Sequence, residues 1–207
     1  MPGPDFFRKA GLFTAPHFLP PELVETIRLS MAHSPTEPAL IIKSGQEYLD
    51  EDYRKVNFAM VSKEVRTLVD ENLRSLIPQL EEHFHLKLGG CETPHYLVYH
   101  PGDFFRRHTD GGRKGESDFA RRRRISVVIF LNAESEEPAP GTYGNGRLTF
   151  YGLLEGPHWE HCAFALQSEP GLLVAFPAEM PHEVTPVSHG ERYTIASWYY
   201  APDEESS

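Results

Sequence analysis

The chain has 207 residues, and its 20 lysine and arginine side chains face 30 aspartate and glutamate side chains, which gives a formal net charge of −10 at pH 7. This length predicts one domain over residues 1–207 with a sizeable core, and a hydrophobic content of 40% excludes disorder for most of the chain. The acidic balance argues against a general nucleic-acid or anionic-membrane binder, and no window approaches the ~20 apolar residues of a membrane span.

Cysteine usage and the first residues predict the compartment. Cys91 and Cys162 are far apart, which favours free, buried thiols in a reducing cytosol over a disulfide scaffold. The stretch MPGPDFFRKAGLF carries prolines and charges where a signal peptide would need a basic start and an apolar stretch. We therefore expect a cytoplasmic protein. The sequence gives no indication of the oligomeric state.

The first 90 residues predict a mainly helical support region. Residues 1–19 are expected to be irregular. A helix is predicted to begin at Pro21, because Leu23, Ile27 and Met31 recur at helical spacing. Residues 35–57 show no sustained period and are expected to form a loop with a short strand at 39–42.

A second, longer helical pattern follows. Ser62 is a candidate N-cap, with Glu64 in the first turn. Pro78 is expected to kink or split the helix, which should end near Gly89. The apolar stripe that defines this helix consists of Val65, Leu68, Val69, Leu73, Leu76, Leu80 and Phe84.

After Gly90 the hydrophobic period changes to two. The candidate strands are residues 93–100, 123–132, 146–151, 163–167, 172–176 and 192–201. Short strands separated by glycine, proline and aspartate turns are typical of a sandwich or barrel. The sequence therefore predicts a mainly β member of the α+β class. We expect a double-stranded β-helix (jelly roll) core over residues 91–201, supporting N-terminal helices and a frayed tail at 202–207.

One pair of polar residues suggests chemistry. His108 and Asp110 are two residues apart, so on an extended chain both side chains project from one face. An imidazole beside a carboxylate supplies two of the three ligands of a two-histidine, one-carboxylate metal site. Because His-x-Asp triplets are common by chance, an ordinary surface loop is the alternative interpretation.

A third ligand must come from a distant strand. His182 is the candidate, since it follows Pro181 and starts an extended run. The alternative is a core or turn histidine whose ring is hydrogen-bonded to a carbonyl group.

Arg192 lies ten residues beyond His182 and opens the last strand. Alternation places Arg192, Thr194, Ala196 and Trp198 on one face of that strand. An arginine on an otherwise apolar face needs an anionic partner, and a dicarboxylate cosubstrate would provide one bidentately, with the small Ala196 leaving room. The alternative is an ion pair with Glu183 or Glu191.

Five segments in a fixed order resemble a known family. They are YLVYHPGDFFRRHTD, RRISVVIFLN, GRLTFY, GLLVAFP and PHEVTPVSHGERYTIASWYY. This order resembles the iron(II)- and 2-oxoglutarate-dependent oxygenases, and within them the prolyl 4-hydroxylase branch, which includes the oxygen-sensing prolyl hydroxylases. The resemblance covers roughly residues 93–200, about half of the chain.

The resemblance implies a role for each matched position. His108, Asp110 and His182 would bind iron(II), and Arg192 would hold the distal carboxylate of 2-oxoglutarate. Tyr99 matches a cosubstrate contact.

Five further positions match the implied pocket. Leu148 would line it, while Arg123 and Trp198 would shape or support it. Phe105 stands where a substrate-side tyrosine is often found, so Phe105 and Arg123 are the candidate substrate residues. Phe130 replaces a tyrosine of the oxygen-sensing members, which removes one cosubstrate hydroxyl contact.

The implied activity is hydroxylation of a protein substrate, at a prolyl residue, with release of succinate and CO2. Iron(II), 2-oxoglutarate and dioxygen would be required, and ascorbate is a further candidate cofactor. One alternative is hydroxylation of a free amino acid or another small metabolite. Another is a non-catalytic metal-binding jelly-roll module or a hydrolytic zinc site, but neither explains Arg192.

Two polar segments have less specific interpretations. The run of four arginines at 121–124 leads into a strand, so alternate side chains should face opposite ways instead of forming a nucleic-acid surface. An alternative role for it is to guide an acidic peptide to the pocket mouth. Residues 111–120 follow Asp110 directly and would suit either a mobile lid over the iron or a plain surface loop.

Overall fold

Five helices and seventeen short strands make up the part of the chain that the computed structural model describes, residues 4–43, 46–111, 118–153 and 162–203. The helices are α1 (Pro4–Lys9), α2 (Pro21–Ala32), α3 (Lys63–Ser75), α4 (Ile77–Phe84) and α5 (Asp118–Arg122). The strands of the first half are β1 (Phe13–Ala15), β2 (Thr36–Pro38), β3 (Ile41–Lys43), β4 (Gln46–Tyr48), β5 (Arg54–Lys55), β6 (Asn57–Ala59), β7 (Gly90–Cys91), β8 (His95–Tyr99) and β9 (Phe104–His108). Those of the second half are β10 (Arg123–Phe130), β11 (Tyr143–Asn145), β12 (Leu148–Tyr151), β13 (Ala163–Leu166), β14 (Leu173–Pro177), β15 (His182–Val184), β16 (Val187–Gly190) and β17 (Arg192–Tyr200).

The local signals for the two long helical patterns are confirmed. Helix α2 begins at Pro21, where the missing amide hydrogen of proline costs nothing. Ser62 caps α3, since its side chain accepts a hydrogen bond from the backbone amide of Val65 at 3.4 Å. The predicted split occurs at Leu76, two residues before Pro78. The end predicted near Gly89 is wrong: α4 ends at Phe84, because the next residue, His85, has a left-handed backbone (φ 54°) that stops the helix.

The first 60 residues contain more structure than the sequence indicated. Residues 1–19 were expected to be irregular, but 4–9 form α1 and 13–15 form β1. The expected loop over 35–57 holds β2 to β5, and the strand expected at 39–42 runs from 41 to 43. Each of these strands has two or three residues, which is too short for a hydrophobic period to be visible.

The strands form two main antiparallel sheets. The larger sheet has the order β1-β14-β10-β17-β8-β6-β2, with β7 pairing to β17, and the smaller has the order β13-β12-β15-β9-β5. The sheets close over a shared apolar interior that includes Tyr99 and Phe130 of the larger sheet and Leu148, Phe150 and Val184 of the smaller. This is the predicted double-stranded β-helix, so the mainly β architecture is confirmed.

Strand β17 separates two cores. Tyr193, Ile195 and Tyr199 point outward into a core that α2 and α3 complete, with Ile27 and Leu73 fully buried there. The hydroxyl of Tyr199 donates a hydrogen bond to the carbonyl of Leu73 at 2.6 Å. The helices therefore brace the outer face of the larger sheet and leave its inner face for the site.

The four arginines at 121–124 lead into a strand that begins at Arg123, as predicted, but the first two lie on a helix. Arg121 and Arg122 belong to α5, and β10 begins at Arg123. Arg122 pairs with Asp203 at 2.7 Å. The register of β10 against β17 shifts between Arg123 and Ile125, a bulge that redirects the Arg123 side chain.

The structure also tests the predictions for the two cysteines and for a membrane-spanning segment. Cys91 and Cys162 are both free thiols, but only Cys91 is buried, whereas Cys162 is exposed. Among the described residues no helix has the length and apolar character needed to cross a membrane.

Candidate metal and cosubstrate site

Three polar side chains converge inside the jelly roll where β9 ends and β15 begins. His108 and His182 are directly paired across these neighbouring strands. Asp110 follows β9, and its backbone amide donates to the carbonyl of Ala178 at 2.8 Å, which holds the turn in place. Asp110 Oδ1 lies 3.4 Å from His108 Nε2, and Asp110 Oδ2 lies 3.5 Å from His182 Nε2.

The hydrogen bonds of the two rings prepare Nε2 for a metal. His108 Nδ1 lies 2.7 Å from the carbonyl of Arg106, and His182 Nδ1 lies 2.9 Å from the carbonyl of Met180. A carbonyl only accepts, so each Nδ1 carries the proton and each Nε2 presents its lone pair. Ser126 donates to Asp110 Oδ2 at 2.7 Å and fixes the carboxylate.

The electrostatics favour the protonation states that a metal needs. Burial alone would raise the pKa of Asp110, but His182, His108 and the hydrogen bond from Ser126 together hold that pKa well below its usual range. Burial lowers the pKa of His182 to about 4, and the opposing attraction of Asp110 is smaller. At neutral pH the carboxylate is therefore ionised and the imidazole is neutral. The donor set fits a divalent metal ion such as iron(II), whose neighbouring ligands lie about 3 Å apart in octahedral geometry.

Arg192 lies in the same interior and is 1% exposed. Its Nη1 donates to the hydroxyl of Thr194 at 3.1 Å, while Nε and Nη2 are buried with no hydrogen-bond partner. The guanidinium lies 5.0, 5.3 and 6.0 Å from the ring centres of Tyr99, Phe130 and Tyr143. Aromatic faces accommodate a cation but do not saturate its donors.

Neither acidic residue considered as an internal partner of Arg192 pairs with it. Glu183 accepts a hydrogen bond from the hydroxyl of Tyr151 at 2.7 Å. Glu191 accepts from the hydroxyl of Tyr193 and lies 3.1 Å from His100 Nδ1. Two orphaned donors on one buried cation fit the distal carboxylate of a dicarboxylate cosubstrate.

The other predicted pocket residues also face this interior. Tyr99 lies opposite Arg192 in the sheet, and Leu148 is fully buried on β12. Phe105 stacks on the His108 ring, with centroids 3.5 Å apart. The Arg123 guanidinium lies 3.9 Å from the centre of the Trp198 ring. The structure thus groups His108, Asp110 and His182, places Phe105 against His108, and places Arg192 against Tyr99.

Sequence reasoning missed Ser126, His95 and Arg54. The first two had a usable signal, because alternation back from Phe130 and from Tyr99 places Ser126 and His95 on the inner face. Arg54 had none, since it lies on a strand of two residues. For the segment proposed as a lid, residues 112–117 lie outside the described part of the chain, and 118–120 begin α5.

Two buried imidazoles and one carboxylate inside a jelly roll form the arrangement found in mononuclear non-haem iron(II) oxygenases. The model of the 2OG-Fe(II) oxygenase superfamily matches residues 94–200. The chain belongs to this superfamily, whose members use iron(II), 2-oxoglutarate and dioxygen.

Two bacterial relatives share the matched half. A PKHD-type hydroxylase of Shewanella sp. (strain MR-7) is 29% identical over 105 residues, and one of Rhizorhabdus wittichii is 31% identical over 107 residues. Each alignment covers 51% of this chain and 41% of the relative, so the chain spans less than half the length of these curated relatives.

Solved structures agree over nearly the whole chain. A Pseudomonas putida prolyl-4-hydroxylase superposes with a TM-score of 0.67 and 25% identity, covering 92% of each chain. A prolyl hydroxylase of Trichoplax adhaerens superposes with a TM-score of 0.68 and 18% identity, covering 95% of this chain and 86% of that one. At 18% identity the second comparison supports the fold.

Proposed function

We propose that the chain is an iron(II)- and 2-oxoglutarate-dependent oxygenase that hydroxylates a prolyl residue of a protein or peptide and releases succinate and CO2. The observation that carries this proposal is the buried triad of His108, Asp110 and His182 in one interior with the unpaired guanidinium of Arg192. A zinc hydrolase or a non-catalytic module would have no use for that guanidinium.

In this proposal each side chain has one task. His108 and His182 hold the metal through Nε2, and Asp110 holds it through its carboxylate. Arg192 neutralises the distal carboxylate of 2-oxoglutarate. When bound, iron(II) with 2-oxoglutarate and dioxygen would supply the oxidising power for hydroxylation of an unactivated C–H bond.

The surrounding residues define the shape of this site and exclude water from it. Tyr99, Leu148 and Trp198 line the cosubstrate pocket in our proposal, and all three are buried in the interior core. Their apolar surfaces exclude water, which strengthens the attraction between Arg192 and a bound carboxylate.

A peptide substrate is favoured by a groove of about 250 Å³ lined by residues of β9 and β15, the two strands that carry His108 and His182. Phe104, Phe105 and Arg106 form one wall and residues 183–186 form the other. The Trichoplax relative was solved in complex with a hypoxia-inducible-factor peptide fragment, which supports a similar substrate class here. A free amino acid is the second candidate, favoured by the unpaired cation Arg54 near the triad.

Turnover tests the proposal directly. Purified protein with iron(II), 2-oxoglutarate and oxygen should form succinate slowly alone and faster with a proline-containing protein substrate, which should gain one oxygen by mass spectrometry. Arg192→Ala should lose both activities, whereas Arg147→Ala should keep them, because Arg147 is exposed and already paired with Glu134 at 2.7 Å. Absence of cosubstrate-dependent succinate in the wild type would refute the proposal. A role for ascorbate and a cytoplasmic location stay predictions.

A further inference from the structure

A second cationic side chain near the triad lacks an acidic partner. Arg54 lies on β5 and is paired in the sheet with Phe105 of β9. Its guanidinium lies 4.8 Å from the ring centre of Phe105 and 5.3 Å from that of Phe58. Its Nε is buried without a hydrogen-bond partner, and no described acidic residue forms an ion pair with it.

Arg54 is close to the reacting region. The Phe105 ring that it covers is itself stacked on the His108 imidazole at 3.5 Å. Burial lowers the pKa of Arg54, and the charge of Asp110 is near enough to oppose this effect. One aromatic ring therefore separates the guanidinium from a proposed metal ligand.

Two more buried nitrogen atoms without a hydrogen-bond partner lie near Phe58, on His95 and Trp198. The His95 ring is 4.9 Å from the Phe58 ring and 5.0 Å from the Trp198 ring, centre to centre. His95 Nδ1 and Trp198 Nε1 are both buried with no partner. Buried polar groups normally have a hydrogen-bond partner, so the unpartnered nitrogens of Arg54, His95 and Trp198 along this chain of ring contacts indicate a missing acceptor group.

Two other cationic side chains in this region are each paired with a carboxylate of the protein. Arg123 makes two hydrogen bonds of 2.6 Å to Glu92, and Lys55 lies 3.3 Å from Asp103. Arg192 also lacks a carboxylate partner within the protein, and in the function proposed above the distal carboxylate of 2-oxoglutarate pairs with it. Arg54 then remains available to pair with the substrate that is hydroxylated.

We propose that Arg54, with Trp198 Nε1 and His95 Nδ1 as further donors, binds a carboxylate of the substrate and thereby places the adjacent C–H bond at the metal. This inference rests on the proposed function and specifies its substrate as an acid. The carboxylate belongs either to the α-carboxyl group of a terminal or free amino acid, or to an acidic side chain next to the reacting residue. In both cases a guanidinium provides bidentate binding.

Anaerobic binding measurements test this inference. The wild-type protein is loaded with iron(II) and 2-oxoglutarate and titrated calorimetrically with three acetylated peptides, Gly-Ala-Pro with a free carboxylate, its C-terminal amide, and the amide of Gly-Asp-Pro. At least one acidic peptide should bind about tenfold or more tightly than the neutral amide, because a charge-assisted hydrogen bond is replaced by a weaker bond to a neutral carbonyl oxygen. Preference for the free terminus identifies an α-carboxylate, and preference for the aspartyl peptide identifies a side-chain carboxylate.

Variants show whether Arg54 is responsible. R54Q should abolish the preference for acids, and R54K should reduce it while keeping the charge. Arg107→Gln is the matched control, since Arg107 is exposed with its guanidinium 4.2 Å from the ring centre of Tyr151, and it should keep the wild-type preference. If R54Q does not fold, R54K and the wild type decide the question.

The outcomes separate this inference from the proposed function. Equal or absent binding of acids and amide by the wild type overturns the carboxylate site, as does an unchanged preference in R54K and R54Q. Succinate formation by the wild type without any peptide tests the oxygenase itself. If the protein turns over 2-oxoglutarate but binds acidic and neutral peptides equally, the proposed oxygenase activity stands and the proposal of an acidic substrate is refuted.

Discussion

Replacing Arg192 by methionine should raise the stability of the ligand-free protein while it removes binding of 2-oxoglutarate. Nε and Nη2 of Arg192 are buried without partners, and each orphaned donor costs about 1–3 kcal/mol. Methionine loses three cation–ring contacts of about 0.5–1 kcal/mol each. Central values of about 4 and about 2 kcal/mol leave a gain of about 2 kcal/mol. For a chain of this size that corresponds to an increase in Tm of about 4–8 °C.

The same substitution should nearly abolish cosubstrate binding. Two charge-assisted hydrogen bonds from Arg192 to a carboxylate contribute about 3–6 kcal/mol, so the Kd should rise by about 10² to 10⁴. In the wild type, 2-oxoglutarate at about 100 times its Kd should stabilise the fold by about 2.7 kcal/mol. The variant should show no such stabilisation.

Thermal and urea unfolding with and without 2-oxoglutarate measure both effects. Arg147→Met is the control, because this exposed, paired arginine should change neither the ligand-free stability nor the ligand response. A ligand-free R192M that is less stable than the wild type by more than about 1 kcal/mol would show that the guanidinium is satisfied within the protein. Arg192 would then need no dicarboxylate partner.

Four other perturbations have definite expected results. His108→Ala should abolish stoichiometric metal binding, measured by metal analysis after dialysis, while the circular dichroism spectrum stays that of the wild type, since His108 belongs to the site and not to either apolar core. Ser126→Ala should weaken metal affinity about 10- to 100-fold in a chelator competition, because it frees the Asp110 carboxylate. Leu73→Ala should cost about 2–5 kcal/mol in urea unfolding, since Leu73 is 0% exposed. Burial lowers the pKa of His95 from 6.5 to about 4, so on acidification the unfolded chain binds a proton before the folded chain does. The free energy of unfolding should therefore be about 2 kcal/mol lower at about pH 5 than above pH 6.5. His95→Gln should remove that part of the decline.

Each of these predictions can fail clearly. Undiminished metal content in His108→Ala, or unchanged chelator competition in Ser126→Ala, would contradict the ligand assignment. A loss below about 1 kcal/mol in Leu73→Ala would mean that the outer core can collapse around the cavity. An identical pH dependence in wild type and His95→Gln would show that other groups cause the acid sensitivity.

The parts that sequence reasoning predicted well are those with long, regular patterns. Strand β17 has nine residues, enough for alternation to separate Arg192 and Trp198 from Tyr193 and Tyr199. The positions of the His-x-Asp pair and His182 within a resembling order of strands were sufficient to anticipate that these three side chains converge. The starts of α2 and α3 and the split at Leu76 followed from capping and proline chemistry, which are local.

The parts that escaped prediction depend on contacts between distant segments. Arg54 became visible only when β5 paired with β9, because a strand of two residues has no period. The strand from Arg123 was predicted, but the helix that ends at Arg122 and the bulge after Arg123 were not, because identical arginines carry no signal for either. The ion pair between Arg123 and Glu92 likewise could not be predicted, because the two residues meet only in the folded chain.

Strand β17 presents its two series of alternating residues to different surroundings, and this has a consequence for how such a chain can diversify. Tyr193, Ile195 and Tyr199 are constrained by the helices, whereas Thr194 and Ala196 border the proposed reaction space. Selection for a new substrate can therefore exchange inward positions while the outward ones preserve folding. Descendants of one ancestor would then keep the same helical brace and differ in what they oxidise.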